Sequence, residues 1–153
     1  MSDNYYEMPK QVQRMKGGDD NMENLAFRIK LSVLWILLDL ASFGTTVVMV
    51  LMEPGMMEEI MSGVVEGMKL GPGLLLILAI MVLVPIAMAF LSLTLKGSGI
   101  RWLNIILGIL YVVIELPDVV KITSAHGLLM IGSLILIPAL IAWYAWKWPK
   151  QEA

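Results

Sequence analysis

Four apolar segments, each close to the length that crosses a lipid bilayer, constrain this chain more than any other feature of its sequence. They cover about residues 29–52, 73–95, 101–122 and 127–148. A membrane-spanning helix needs roughly 20 predominantly apolar residues. The composition agrees, since only 16% of the residues are charged, whereas about 25% are charged in an ordinary soluble domain. The sequence therefore predicts an all-α, polytopic membrane protein that folds as a four-transmembrane-helix bundle.

The first residues of the chain differ from the rest because they are polar and contain the run GGDD at Gly17–Asp20. Segments with so few apolar residues bury too little surface to fold alone. We expect a flexible cytoplasmic tail over residues 1–24 and one membrane domain over residues 25–150. The first apolar segment is too long for a cleaved signal peptide, so we expect it to remain as an anchor.

Basic residues are distributed unevenly between the two sides of the predicted bundle. Nine of the eleven lie on the side that holds both termini, and only Lys69 and Lys121 lie on the other. Cytoplasmic segments carry an excess of Lys and Arg. We therefore expect a multi-pass protein of the cell (plasma or inner) membrane with both termini in the cytoplasm.

The connection between the first two spans has helical periodicity. Apolar side chains recur at intervals of three and four residues from Met56 to Met68, with glutamates on the opposite side. This pattern predicts a short amphipathic helix, which Pro54 would introduce. Because its polar face is acidic, we expect the apolar face to pack against the bundle and not to lie on anionic lipid.

Polar side chains inside the apolar segments are concentrated on the first and third spans, where they recur every three or four residues. Lipid cannot solvate such groups, so both stripes should face the interior of the bundle. Asp39 lies about 14 Å beyond Lys30, and Tyr111 lies about 15 Å beyond Arg101, at a rise of 1.5 Å per residue. We expect the phenol of Tyr111 to donate a hydrogen bond to Asp39, with Ser42 or Ser133 as other partners. The predicted polar seam consists of Asp39, Ser42, Thr46, Asn104, Tyr111, Glu115 and Asp118.

Three functions are compatible with this seam. We favour a structural or accessory membrane component, in which Asp39 sets the register of the helices. The alternative is a proton- or cation-conducting bundle in which Asp39, Tyr111 and Glu115 form a path, since ionisable residues within a membrane often mark such paths. A further alternative is a small-molecule sensor with a cavity beneath the amphipathic helix.

Other functions are not indicated by the composition or the motifs. The chain has no cysteine and only one histidine, His126, so disulfides and thiolate metal sites are excluded and a zinc or haem site is not expected. The net charge of −2 offers no basic surface for nucleic acid. The methionines of the first loop are of a type that binds Cu(I), but they stand where the apolar stripe requires hydrophobic side chains. No phosphate-binding loop or nucleophile motif is present. We expect no enzymatic activity, no cofactor and no metal, and as partners the lipid bilayer and a second copy or another membrane protein.

Three short runs carry a resemblance to known sequences: EPGMMEEIMSG from Glu53, RWLNIILGILYVV at Arg101–Val113, and WYAWKWP at Trp143–Pro149. They resemble a family of small, uncharacterised four-helix integral membrane proteins of bacteria and archaea. The resemblance covers the chain from about Leu31 to Pro149. It implies the four-span architecture, and it implies no activity, ligand or functional residue.

Overall fold

The computed structural model describes residues 10–52, 54–65, 67–95, 97–120 and 124–148. Its elements in chain order are α1 (Lys10–Met52), α2 (Met56–Ser62), β1 (Val64–Val65), β2 (Met68–Lys69), α3 (Pro72–Thr94), α4 (Ser98–Val119) and α5 (Ala125–Lys147). Four stretches are long and apolar enough to cross a membrane, namely Met22–Met52, Pro72–Thr94, Ser98–Val119 and Ala125–Lys147. The predicted all-α architecture with four spans is confirmed.

The first and third spans differ in length from the prediction. Residues 10–24, which we expected to be a flexible tail, continue α1 as a helix, and residues 1–9 lie outside the described residues. Once the apolar span has nucleated a helix, each further residue adds a hydrogen bond without the cost of nucleation. The third span passes through Pro117 and ends at Val119. Its expected end at residue 122, with Lys121, lies outside the described residues, as do residues 149–150.

The predicted amphipathic helix is shorter than its apolar stripe. It ends at Ser62 because Gly63 adopts a left-handed conformation with φ of 74°, which glycine adopts without a steric penalty. The chain then forms an antiparallel hairpin that pairs Val64 with Lys69 and Val65 with Met68. The expectation of a helix through Met68 was therefore wrong.

The apolar side of α2 does not pack into the bundle. Met57 and Met61 are 51% and 82% exposed, and α2 contains no buried residue. The expected burial of this face against the bundle was therefore wrong, and the exposed methionines suit contact with lipid at the membrane surface.

The four long helices form a ring in the order α1, α3, α4, α5. α1 packs against α3 and α5, and α4 packs closely against α5, whereas α3 and α4 touch at few positions. α1 and α4, which carry the predicted polar stripes, therefore lie across the centre of the ring from each other. The closest approach of α4 to α5 is at Gly108, where a Cβ would lie 2.9 Å from the carbonyl oxygen of Pro138. Small residues permit such approaches between membrane helices.

The two ends of the bundle differ in packing. We call the end that holds Asn24, the α3–α4 connection and Lys147 the terminal end, and the end that holds α2 and the β1–β2 hairpin the hairpin end. Most of the buried apolar cluster lies in the terminal half. Its members are Leu31, Trp35, Leu38, Met88, Ala89, Ile100, Ile105, Tyr111, Leu134, Ile141, Ala145 and Trp148.

Candidate functional site

A dry hydrogen-bonded network closes the terminal half of the bundle. Asn104 is at its centre: its Oδ1 accepts from Trp35 Nε1 at 2.7 Å and from Ser92 Oγ at 3.2 Å. Its Nδ2 donates to the carbonyl of Ile100 at 2.8 Å. The side chains of Trp35, Ser92 and Asn104 are 0% exposed. Because their polar groups are satisfied, they can remain buried between α1, α3 and α4.

Basic side chains at the terminal end also bind backbone carbonyls of other helices. Arg28, which is buried, donates from Nε to the carbonyl of Ser92 at 3.2 Å. Arg101 donates to the carbonyls of Ala145 and Trp146 at 3.1 and 2.9 Å. The last carbonyls of a helix have no partner within it, so Arg101 caps α5. The predicted α4 stripe thus begins with a residue that joins two helices.

Tyr111 has a different partner from the one that we expected. Its hydroxyl donates to the carbonyl of Met81 on α3 at 2.7 Å, and its ring packs edge-on against Trp35 with centroids 5.8 Å apart. Met81 precedes Pro85 by four residues, and proline has no N–H to complete the helical bond to that carbonyl. Tyr111 therefore supplies the donor that Pro85 lacks, and the expected hydrogen bond from Tyr111 to Asp39 was wrong.

The interior of the hairpin half is not filled by side chains. A partly open cavity of about 600 Å³ is bounded by α1, α3, α4 and α5. It reaches from the level of Asp39 to Met52 and Ser124 at the hairpin end. We call this cavity the vestibule. Its polar lining consists of Asp39, Ser42, Thr45, Thr46, Glu115, Asp118, Ser124 and His126.

The predicted seam is divided between the two halves of the bundle. Asn104 and Tyr111 belong to the dry half, and the other five residues line the vestibule, namely Asp39, Ser42, Thr46, Glu115 and Asp118. Asp39 is half-buried. Two of the partners expected for it, Tyr111 and Ser133, donate elsewhere: Tyr111 to the carbonyl of Met81 and Ser133 to the carbonyl of Met130, both at 2.7 Å. Helical periodicity therefore identified the faces correctly but not the contacts.

Three lining residues were missed by sequence reasoning. Thr45 is buried, whereas Thr46 is exposed and donates to the carbonyl of Ser42 at 3.0 Å. A step of three residues from Ser42 would have found Thr45 on the same face. Ser124 and His126 lie at the start of α5, where the hydroxyl of Ser124 accepts from the N–H of Gly127 as an N-cap and lies 3.2 Å from His126 Nε2. The capping signal of Ser124 was legible in the sequence.

The vestibule is an acidic cavity with apolar walls. Among the described residues that line it, three are carboxylates and none is Lys or Arg. The carboxylates are spread along the cavity: within the described residues, no group of three or more His, Cys, Asp or Glu side chains is placed to hold a metal ion. Negative charge along a cavity with apolar, low-dielectric walls attracts cations.

A second cavity meets the vestibule at Asp39. It is a groove of about 360 Å³ between α1 and α3. We call it the lateral groove. Its lining consists of Ser32, Ile36, Asp39, Ile86, Ala89, Phe90 and Leu93. Among the described residues, Asp39 is the one that lines both the lateral groove and the vestibule.

Four spanning helices around a polar vestibule define a multi-pass integral membrane protein. The chain belongs to DUF6326, a family of unknown function, whose family model matches residues 22–153. The match confirms the resemblance to an uncharacterised family, and like that resemblance it leaves out the first part of the chain. No curated protein matches the chain, and no solved structure matches it.

Proposed function

We propose that this protein is a membrane sensor that binds a small organic cation in its vestibule. The observation that carries this proposal is a cavity of about 600 Å³ whose described lining residues include Asp39, Glu115 and Asp118 and no Lys or Arg. Cavities of about 300–1,000 Å³ that combine apolar walls with a few polar groups are typical of small-molecule sites. The proposal assigns a binding role and no catalytic step.

The distribution of charge supports a cell-membrane protein whose vestibule opens to the outside. Arg28, Lys30, Arg101 and Lys147 all lie at the terminal end of the bundle, and basic residues mark the cytoplasmic side. Tryptophans at the same end agree, since Trp102, Trp143 and Trp146 are exposed where indole rings favour the interface. The hairpin end then faces outwards, and a ligand reaches the vestibule without crossing the membrane.

The dry half supports binding over the proton- or cation-conducting alternative. A proton path needs groups that both accept and release protons, whereas the indole of Trp35 only donates and the amide of Asn104 does not titrate. Arg28 follows them towards the terminal end, and its guanidinium remains positively charged. A cation that moved from the vestibule towards the terminal end would therefore meet side chains whose hydrogen bonds are already satisfied, and then the positive charge of Arg28.

A structural or accessory role is a second candidate because that same network joins α1, α3 and α4 through Asn104. The two candidates make opposite predictions for Asp39→Leu. If Asp39 only holds the helices in register, this change lowers the midpoint of thermal unfolding. Under the binding proposal the variant remains as stable as the wild type and loses the ligand.

The binding proposal is tested by titrating tetramethylammonium into the full chain in an uncharged detergent, with isothermal calorimetry as the measurement. Asp39→Asn and Glu115→Gln should each raise Kd tenfold or more, because each removes a charge that faces the ligand; tenfold corresponds to about 1.4 kcal/mol. Glu58→Gln is the matched control, since Glu58 is an exposed carboxylate of α2 outside the vestibule lining. The proposal is refuted if the wild type does not bind the probe, or if all variants bind it equally.

A further inference from the structure

The position of Asp39 connects the inside of the bundle with its lipid-facing surface. On one side its carboxylate lines the vestibule, and on the other it ends the lateral groove. Within the described part of the chain, Asp39 forms no hydrogen bond or ion pair with another side chain. A carboxylate at this depth in a bilayer is unfavourable unless a cationic or hydrogen-bonding group accompanies it.

The lateral groove is apolar over most of its length and open to lipid. Ile36, Ile86 and Phe90 are all more than half exposed, and among the described lining residues Ser32 is the one polar residue besides Asp39. α1 and α3 run antiparallel, so Asp39 and Ile86 lie at one end of the groove while Ser32 and Leu93 lie at the other. The groove therefore presents an apolar channel that begins at a negative charge.

We propose that the ligand is a single-chain cationic amphiphile from the bilayer. Its cationic head enters the vestibule beside Asp39, and its alkyl chain occupies the lateral groove. This inference rests on the proposed function, which supplies the cation site. The charge of the groove's one acidic residue selects a cationic head over the zwitterionic or anionic heads of ordinary lipids, because an anionic head would face Asp39 as a like charge.

The length and direction of the groove fit such a molecule. From Asp39 to Ser32 the groove follows seven residues of α1, or about 10 Å at 1.5 Å per residue, which an octyl chain can fill. With the hairpin end outside, the head points outwards into the vestibule, and the chain runs from the level of Asp39 towards the terminal end of the bundle.

The experiment compares tetramethylammonium with octyltrimethylammonium in the same detergent micelles. Ile86→Trp should fill the lateral groove and weaken binding of octyltrimethylammonium tenfold or more, with binding of tetramethylammonium unchanged. Ile80→Trp is the matched control, because Ile80 and Ile86 lie on the same helix and are 50% and 52% exposed, but Ile80 lines neither cavity. Since all proteins share one type of micelle, partitioning of the ligand cancels in the comparison.

A second variant measures the length of the bound chain. Leu93→Trp, at the far end of the groove, should weaken octyltrimethylammonium and leave butyltrimethylammonium unaffected, because a butyl chain ends before Leu93. The inference is overturned if octyltrimethylammonium binds all three tryptophan variants as it binds the wild type, or if the loss is the same for every chain length. In either case tetramethylammonium binding that is lost in Asp39→Asn would still uphold the proposed function, so the two failures are distinguishable.

Discussion

The hydrogen bond from Tyr111 to the carbonyl of Met81 leads to a sharp prediction about stability. That carbonyl lacks its helical donor because residue 85 is proline. In Tyr111→Phe the ring that packs on Trp35 remains and only the donor at 2.7 Å is lost. A buried acceptor without a partner costs about 1–3 kcal/mol, although side-chain hydrogen bonds between membrane helices average nearer 0.6 kcal/mol. We expect Tyr111→Phe to lower the free energy of unfolding by about 1 kcal/mol, between these two values.

A second substitution, at Pro85, restores the donor that the carbonyl of Met81 lacks. Pro85→Ala provides an N–H that can complete the helical bond to Met81, so the phenol is no longer needed at that carbonyl. In the Pro85→Ala background, Tyr111→Phe should therefore cost much less than in the wild type. The difference between the two costs is the coupling energy of the pair, which a double-mutant cycle isolates.

The four proteins are the wild type, Tyr111→Phe, Pro85→Ala and the double variant. Their free energies of unfolding are measured by reversible unfolding in mixed micelles with increasing sodium dodecyl sulfate. Tryptophan fluorescence and far-ultraviolet circular dichroism are the probes. Equal costs of Tyr111→Phe in both backgrounds would refute the reasoning, since the phenol would then stabilise the bundle independently of Pro85. Tyr144→Phe is a suitable control, because Tyr144 lies on α5 at the terminal end and contacts Phe27 through its ring.

Two further predictions concern packing and orientation. Gly108→Ala should destabilise the bundle by about 1–3 kcal/mol, because its Cβ would lie 2.9 Å from a backbone oxygen of α5 and overpacked cores lose stability in this range. Gly132→Ala is the control and should have little effect in the same unfolding assay, since a Cβ at Gly132 meets no atom within 4 Å. Equal effects of the two substitutions would contradict the close approach of α4 and α5. The chain has no cysteine, so single cysteines report orientation directly. Glu58→Cys, at an exposed polar position of α2, should react with a membrane-impermeant maleimide in intact cells, and Ser98→Cys at the terminal end should react only after permeabilisation. The reverse pattern would place the vestibule on the cytoplasmic side.

The connection between the first two spans shows where periodicity alone misleads. A stripe of apolar residues from Met56 to Met68 satisfies a helical template, but it counts only side chains and ignores the backbone. Gly63 and Gly67 have φ of 74° and 76°, and each interrupts a helix. Val65 pairs with Met68, so Gly67 lies in the loop of this hairpin, where glycine is favoured. The end of the helix and the hairpin could therefore have been predicted from the sequence, because the glycines that cause them are a local signal.

The partners of the polar seam could not be predicted in the same way. Asp39 and Tyr111 lie on inward faces at similar depth, as periodicity indicated, but the partner of Tyr111 depends on which helix stands next to α4 in the ring. That neighbour is α3, which offers a carbonyl that Pro85 has left without a donor. The order of the helices is a property of all four together and is not encoded in the period of any one of them.

The sequence by itself determined the four spans and the inward faces of α1 and α4, because hydropathy, length and helical periodicity are local properties. Only the tertiary structure decided that these faces meet as a dry network at one end and an open acidic vestibule at the other. The physical reason is packing: in the terminal half Trp35, Asn104 and Tyr111 fill the space between the helices and satisfy one another or a neighbouring backbone. In the hairpin half the side chains that face inwards are smaller, flexible or charged, and they leave a cavity with Asp39 at its boundary.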